Sequence, residues 1–370
     1  MKIISIFSLF ILASVSAFAQ VSVEQIPSAT MNKIYEEVKT PFKYGLVIVP
    51  EDEEHKMDCP TVFRSGDSWY MTYLIYGGRG YETWLATSKD LLNWSNKGRI
   101  MSFSDTTKWD GNQKAGYNSL QDTKWGGSYQ LNKYNGKYWM SYFGGSSKGY
   151  EAGDLSIGIA NTTKDPATVH EWNREPKPVL TSKDADVTWW DNRKLFKSSV
   201  IRDQKKLTGH EFVMFYNANG DSAKNNLKTR WFERIGMAVS DDMLKWKRYG
   251  TEPLVHHPVG ITGDAVLQKI DDLWVMFYFG AFWKDRKGGF NRFAVSKNLT
   301  NWTDWDGPSL IESSKPYDEL YAHKSFVLKH KGIVYHFYCA VNKKDQRGIA
   351  VATSKDFGES KLNFITPTQK

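Results

Sequence analysis

Cysteine is nearly missing from this chain of 370 residues: Cys59 and Cys339 are the only two. Two thiols cannot make a disulfide scaffold even in an oxidising compartment, so the fold must be held by its core. Proline is sparse at 12 residues. Basic residues never run to five in a row and no zinc-finger or RNP-type pattern occurs, which excludes the common modes of nucleic-acid recognition. A net charge of +8 then implies at most a preference for anionic ligands. No Asp-rich calcium loop or H-E-x-x-H stretch is present, so the motifs predict no metal and no cofactor. Beyond residue 19 no apolar run is long enough to cross a bilayer. With 41% hydrophobic and 24% charged residues, the protein is not globally disordered, collagenous or coiled-coil. Aromatics are abundant, with 15 Trp, 19 Tyr and 20 Phe, and this favours strands.

Residues 1–19 read as a secretory signal peptide: Lys2, an apolar stretch from Ile3 to Val15, then Ala17 and Ala19 before Gln20. The expected product is exported, periplasmic or extracellular, after cleavage near Ala19-Gln20. No Cys follows that site, so no lipid anchor is expected. Residues 20–45 are assigned to an N-terminal arm with a short helix near Met31 to Lys39, and 46–370 to the main domain. Nothing in the sequence fixes the oligomeric state.

One pattern occurs five times, a short apolar strand, a turn, and a strand dense in aromatics, at 61–74, 129–143, 199–218, 265–281 and 325–340. Each is followed by an element resembling A-x-S-K-D-L-x-x-W, as in 85–94, 236–246 and 293–302, with a truncated copy at 348–358. Strand, hairpin, strand, small-residue strand, Ser/Asp turn and a Trp-led strand make four strands per unit. The predicted fold is all-β, a five-bladed β-propeller with four-stranded blades. In a closed ring Cys59 and Cys339 approach one rim; two separate thiols is the reading adopted, with a bridge as the alternative.

Five blades, Asp58 opening the first inner strand in Met57-Asp58-Cys59-Pro60, and recurrent S-K-D-L-x-x-W turns resemble the five-bladed glycoside hydrolases, family 43 and its relatives 32, 117 and 130. The resemblance covers about residues 45–358. It implies a sugar bound at the propeller axis, a general base at Asp58, and room for a calcium or sodium ion on the axis. Two departures stand out: Lys197 lies where a supporting Asp is expected, and Asp264 where a Glu is expected. His323 opens the fifth inner strand in the register of Asp58, as in family 117-like enzymes that use a His as acid.

Glycosidic cleavage needs an acid at the leaving oxygen and a carboxylate on the other face. Asp58 and Asp264 are the first candidate pair, with Glu233 and His323 as rival acids. Glu82 occupies in the first unit the place of Glu233 in the third, and Asp191 is a substitute for the missing supporting Asp. Lys197 and Lys324 open inner strands, where they can pair with the catalytic carboxylates or bind an anionic group on the glycan; Arg79 is a further candidate. Trp94, Trp172, Trp246 and Trp302 recur in the repeat and are assigned to packing. Trp125, Trp189, Trp190, Trp231 and Trp283 do not recur and are candidate sugar platforms. The expected function is an exported glycoside hydrolase, exo-acting and inverting. A carbohydrate-binding propeller without catalysis and a glycoside phosphorylase are the alternatives.

Overall fold

The computed structural model describes residues 25–220 and 232–365. The signal-peptide reading and Trp231 lie outside the described residues. After Pro27 comes the helix α1 (Ser28–Val38), which buries Met31, Ile34 and Val38 along one face and stops before Thr40-Pro41. That face packs on Ile270, Phe277 and Val327, so the helix is docked on the body of the protein. No helix among the described residues is long and apolar enough to cross a membrane.

Everything else regular among the described residues is strand. β1 (Phe42–Ile48) is followed by four-stranded antiparallel meanders: β2 (Lys56–Ser65), β3 (Ser68–Tyr76), β4 (Tyr81–Ser88), β5 (Trp94–Met101); then β6 (Gln113–Asn118), β7 (Tyr138–Gly145), β8 (Ser156–Thr162), β9 (Asn173–Arg174). The third unit is β10 (Lys194–Arg202), β11 (Phe212–Asn219), β12 (Phe232–Ser240), β13 (Lys247–Arg248). The fourth is β14 (Gly260–Ile270), β15 (Leu273–Ala281), β16 (Gly289–Ser296), β17 (Thr303–Asp304). These two units are joined by a short parallel pairing, Phe232 with Gly260 and Glu233 with Ile261. The last unit has β18 (Tyr321–His330), β19 (Ile333–Val341) and β20 (Arg347–Thr353), and takes β1 as its outer strand. The repeat ends early at 348–358 because its fourth strand comes from the N-terminal part of the protein. The architecture is a β-propeller.

The units share cores with their neighbours. Val62, Met71 and Ala86 of the first pack with Phe326, Leu328 and Phe337 of the last. Trp94 meets Phe337 edge-on at 5.7 Å and Trp302 meets Phe215 at 6.0 Å, so the recurrent Trp join neighbouring units as expected. The Ser/Asp turn is equally concrete. Ser240 Oγ accepts from the N–H groups of Asp242 and Met243, Asp242 Oδ1 accepts from those of Leu244 and Lys245, and Trp246 Nε1 donates to the Met243 carbonyl. The same bonds recur at Ser88–Trp94 and Ser296–Trp302.

In four units the innermost strand carries a bulge near its start: between Asp58 and Thr61, Leu195 and Ser198, Gly263 and Val266, and His323 and Phe326. Three bulge residues have left-handed backbones, Cys59 (φ 46), Asp264 (φ 60) and Lys324 (φ 57). A bulge re-aims side chains at the end of a strand. Asp58 matches His323 and Gly263 in this register, while Asp264 matches Cys59 and Lys324.

Candidate active site

The bulges converge on a cavity of about 190 Å³. Its walls include Glu151, Lys197, Glu233, Asp264, His323, Lys324 and Arg347, with Tyr81, Tyr117 and Tyr150 among the aromatics. The structure thus brings together Glu233, Asp264, His323, Lys197 and Lys324 from those singled out in the sequence.

Asp58 is close to this cavity but behind its wall. It is 1% exposed, accepts from Lys324 Nζ at 2.7 Å and Tyr81 OH at 3.0 Å, and has Arg347 at 3.9 Å. Burial alone would raise its proton affinity, but Lys324 with Arg347 outweighs it and holds the carboxyl well below the usual carboxylate range. Asp58 is the buried counter-ion of Lys324. Asp58, His323 and Cys339 each bring one potential ligand atom within 4.8 Å of the others. The set does not fit calcium or sodium, which take oxygen ligands, and two cations already face its carboxylate. Both thiols are buried and free; Cys59 Sγ donates to Asp264 Oδ2 at 3.6 Å and Cys339 Sγ to the Met57 carbonyl at 3.4 Å.

Among the described residues, three carboxylates line the cavity itself. Glu233 opens β12 where the third and fourth units join, accepts from Asn217 Nδ2 at 2.5 Å, and is pushed up to about 8 by burial, then by Glu151 and Asp264. Asp264 is raised by burial, partly offset by Lys197 and Lys324. Glu151, which sequence reasoning missed, sits in the loop between β7 and β8 with Lys324 at 3.9 Å; burial raises it and Lys324 opposes that. Its loop is tied down by Gly149 N–H to the Arg79 carbonyl (2.8 Å), Gln113 Nε2 to the Gly149 carbonyl (2.5 Å) and Lys194 Nζ to the Glu151 carbonyl (2.7 Å). Arg347, also missed, donates to Tyr150 OH at 2.8 Å. His323 Nδ1 faces the Cys339 carbonyl at 3.3 Å, and burial, then Lys324, lowers the ring to about 3, so it is neutral near pH 7. That removes His323 as a proton donor at that pH.

The remaining candidates lie elsewhere, for physical reasons. Asp191 is fully buried, accepting from Tyr216 OH at 2.8 Å and from Arg248. Asp110 with Tyr142 and Arg174, and Asp318 with Tyr338 and Lys43, repeat this arrangement, which makes Asp191 part of the framework. Trp190 stacks on Tyr216 at 5.6 Å, and a Cβ on Gly236 would come within 2.0 Å of its ring, so it is core. Trp125 stacks on Phe277 and bonds Glu37 of α1 at 2.7 Å. Trp189 bonds Glu252, and Trp283 bonds the Ile261 carbonyl and stacks on His257. Arg79 bonds Asn112 at 2.7 Å and lies over Phe103; Glu82 pairs with Arg99 at 3.0 Å.

No protein-family model and no curated protein matches this sequence. Among solved structures, a complex of BT0996 with RGII is 52% identical at a TM-score of 0.90, covering 93% of this protein and 100% of that one. Another, described as "Glycoside hydrolase", is 51% identical at a TM-score of 0.89, with the same coverage. A family 117 glycoside hydrolase of Zobellia galactanivorans shares the fold at 14% identity and a TM-score of 0.58, over 86% of this protein and 90% of that one. A β-propeller fold, and agreement with two solved structures above 50% identity over nearly the whole length, carry one conclusion: the protein belongs to the glycoside hydrolases.

Proposed function

We propose that the protein is an exported, exo-acting glycosidase in which Glu233 is the general acid and Glu151 the carboxylate that acts from the other side of the scissile bond. The observation that carries this is the placing of two glutamates on one cavity, both raised by burial, with a cation opposing the rise at Glu151 and other carboxylates adding to it at Glu233. Glu233 has an amide, Asn217, as its partner and keeps its proton near pH 7; Glu151 stands beside Lys324. A neighbouring cation at one carboxyl group and neighbouring carboxylates at the other are the kind of difference that acid and base roles use. Asp58, locked to Lys324, is a positioning residue that keeps the ammonium beside Glu151. The inverting expectation rests on an Asp58–Asp264 pair, and with Asp58 spent on Lys324 that pair does not face the sugar. Proton NMR of the first anomer released assigns the stereochemistry of the two glutamates.

Exo-action is supported by size: about 190 Å³ is below the roughly 300–1,000 Å³ of sites for drug-sized ligands and suits one terminal ring. The ring itself is proposed as five blades, closed where β2 packs against the last unit and β1 completes that unit. The 52%-identical neighbour in complex with RGII makes that glycan the first substrate to try. The test is chromatographic detection of sugar released from RGII fragments and a wider glycan panel, with and without phosphate. We expect phosphate-independent release by wild type and loss of roughly 10²–10⁴-fold in E233Q and E151Q. Full activity in both variants would overturn the assignment.

A further inference from the structure

Among the described residues, Lys197 is the cavity cation whose ammonium makes no hydrogen bond. It is 3% exposed, its Nζ has no hydrogen-bond partner, and the nearest carboxylate oxygen, Asp264 Oδ2, is 3.9 Å away. The ammonium also lies over the Tyr117 ring, 5.6 Å from its centroid. Lys324 and Arg347, by contrast, are bound to Asp58 and Tyr150. A buried ammonium without an acceptor is expensive, so its retention calls for an acceptor brought by a ligand. The gap to Asp264 is too long for a hydrogen bond and suits one oxygen lying between the two groups, about 2.8 Å from each.

We propose that Lys197 and Asp264 together read a single hydroxyl of an uncharged terminal sugar, Lys197 donating to its oxygen and Asp264 accepting its proton. A hydroxyl both accepts and donates, whereas a sugar carboxylate only accepts and would lie against Asp264 in a cavity that also holds Glu151 and Glu233. The pair therefore selects for a neutral sugar with a hydroxyl at that position, in place of the anionic glycan that two strand-opening lysines suggest. Sites built on a buried polar pair reject analogues lacking the partner group strongly, by as much as about 10⁴–10⁵-fold in the best cases. The inference rests on the axial cavity being the sugar site proposed above.

The test measures melting-temperature shifts of wild type, K197M, K197Q and D264N with L-arabinose, D-xylose, L-rhamnose and D-galactose, against D-galacturonate and D-glucuronate. Monodeoxy forms of the best ligand are added, and kcat and KM are measured on the glycan that wild type cuts. A neutral sugar should stabilise wild type. K197M and K197Q should need roughly 10- to 100-fold more of it for the same shift. One deoxy analogue should bind wild type as weakly as the intact sugar binds K197M, and K197M should not distinguish the two. The deoxy series on wild type carries the test even if a variant fails to fold. A uronate as the better ligand, lost in K197M, overturns the inference. So does unchanged affinity in both Lys197 variants while wild type still cuts its glycan, which leaves the proposed activity standing. A wild type that neither cuts nor binds any sugar overturns both.

Discussion

Glu233 owes its proton to its neighbours. At the start of β12 it is desolvated and faces Glu151 and Asp264, and its value rises to about 8 against 4.5 for a free glutamate. The folded protein therefore holds a proton between those values that the unfolded state has released, so this group's contribution to stability is full in acid and lost as the pH rises through about 8. Two outcomes follow. The alkaline limb of the pH–rate profile should fall near pH 8, read from kcat/KM between pH 5 and 10. E233Q should melt close to wild type at pH 5 and above it at pH 9, where wild type carries a buried charge. A variant that melts below wild type at pH 9 would contradict this account. Asp58 makes the opposite case. Its carboxyl is held low, so its contribution is present above the ordinary carboxylate value and lost as the pH falls below it. D58N strands Lys324 in the interior and should cost about 3–5 kcal/mol in urea unfolding at pH 7.

At the scale of the element, much was legible because the repeat writes its structure out several times. The Ser/Asp turn needs a hydroxyl to take two N–H groups, a short acid or amide to take two more, and a left-handed residue such as Leu91, Met243 or Leu299 between them. S240A should therefore cost about 1 kcal/mol, measured by chemical denaturation. Recurrence also marked the packing tryptophans. The same test applied to Trp109-Asp110 and Trp190-Asp191 identifies both pairs as framework, since each Trp stacks on a Tyr whose hydroxyl its Asp holds. D191A should thus lower stability by about 1–3 kcal/mol, because Tyr216 OH and Arg248 Nε lose their buried acceptor while Asp184 and Asp186 still hold the guanidinium, with kcat per folded molecule unchanged. What was not legible depended on departures from the repeat. Asp58 and Asp264 look equivalent as strand-opening acids, but the bulge puts them one register apart, one behind the cavity wall and one on it. Glu151 lies five residues before its strand, in a loop without a counterpart, so only the folded protein shows that it meets Glu233.

For the whole molecule the telling feature is that the last unit borrows β1. Phe42 pairs with Thr353 and Ile48 with Ile349, whereas the sequence places the main domain's start at 46 and gives the last unit no fourth strand. Removing residues 42–48 should leave β20 as a bare edge and yield association or misfolding on size-exclusion chromatography, rather than a trimmed monomer.

The partner residues Phe42 and Thr353 stand 311 positions apart, a separation that sets a timetable. Translation delivers β1 before any other strand, yet it has nothing to pair with until nearly the last residue has emerged. Local meanders can form one after another meanwhile, but the final union is a long-range event of the slow kind. A circular permutant that opens the backbone between β1 and β2 and joins the old termini would make that contact local, and should refold faster while leaving the sugar site untouched.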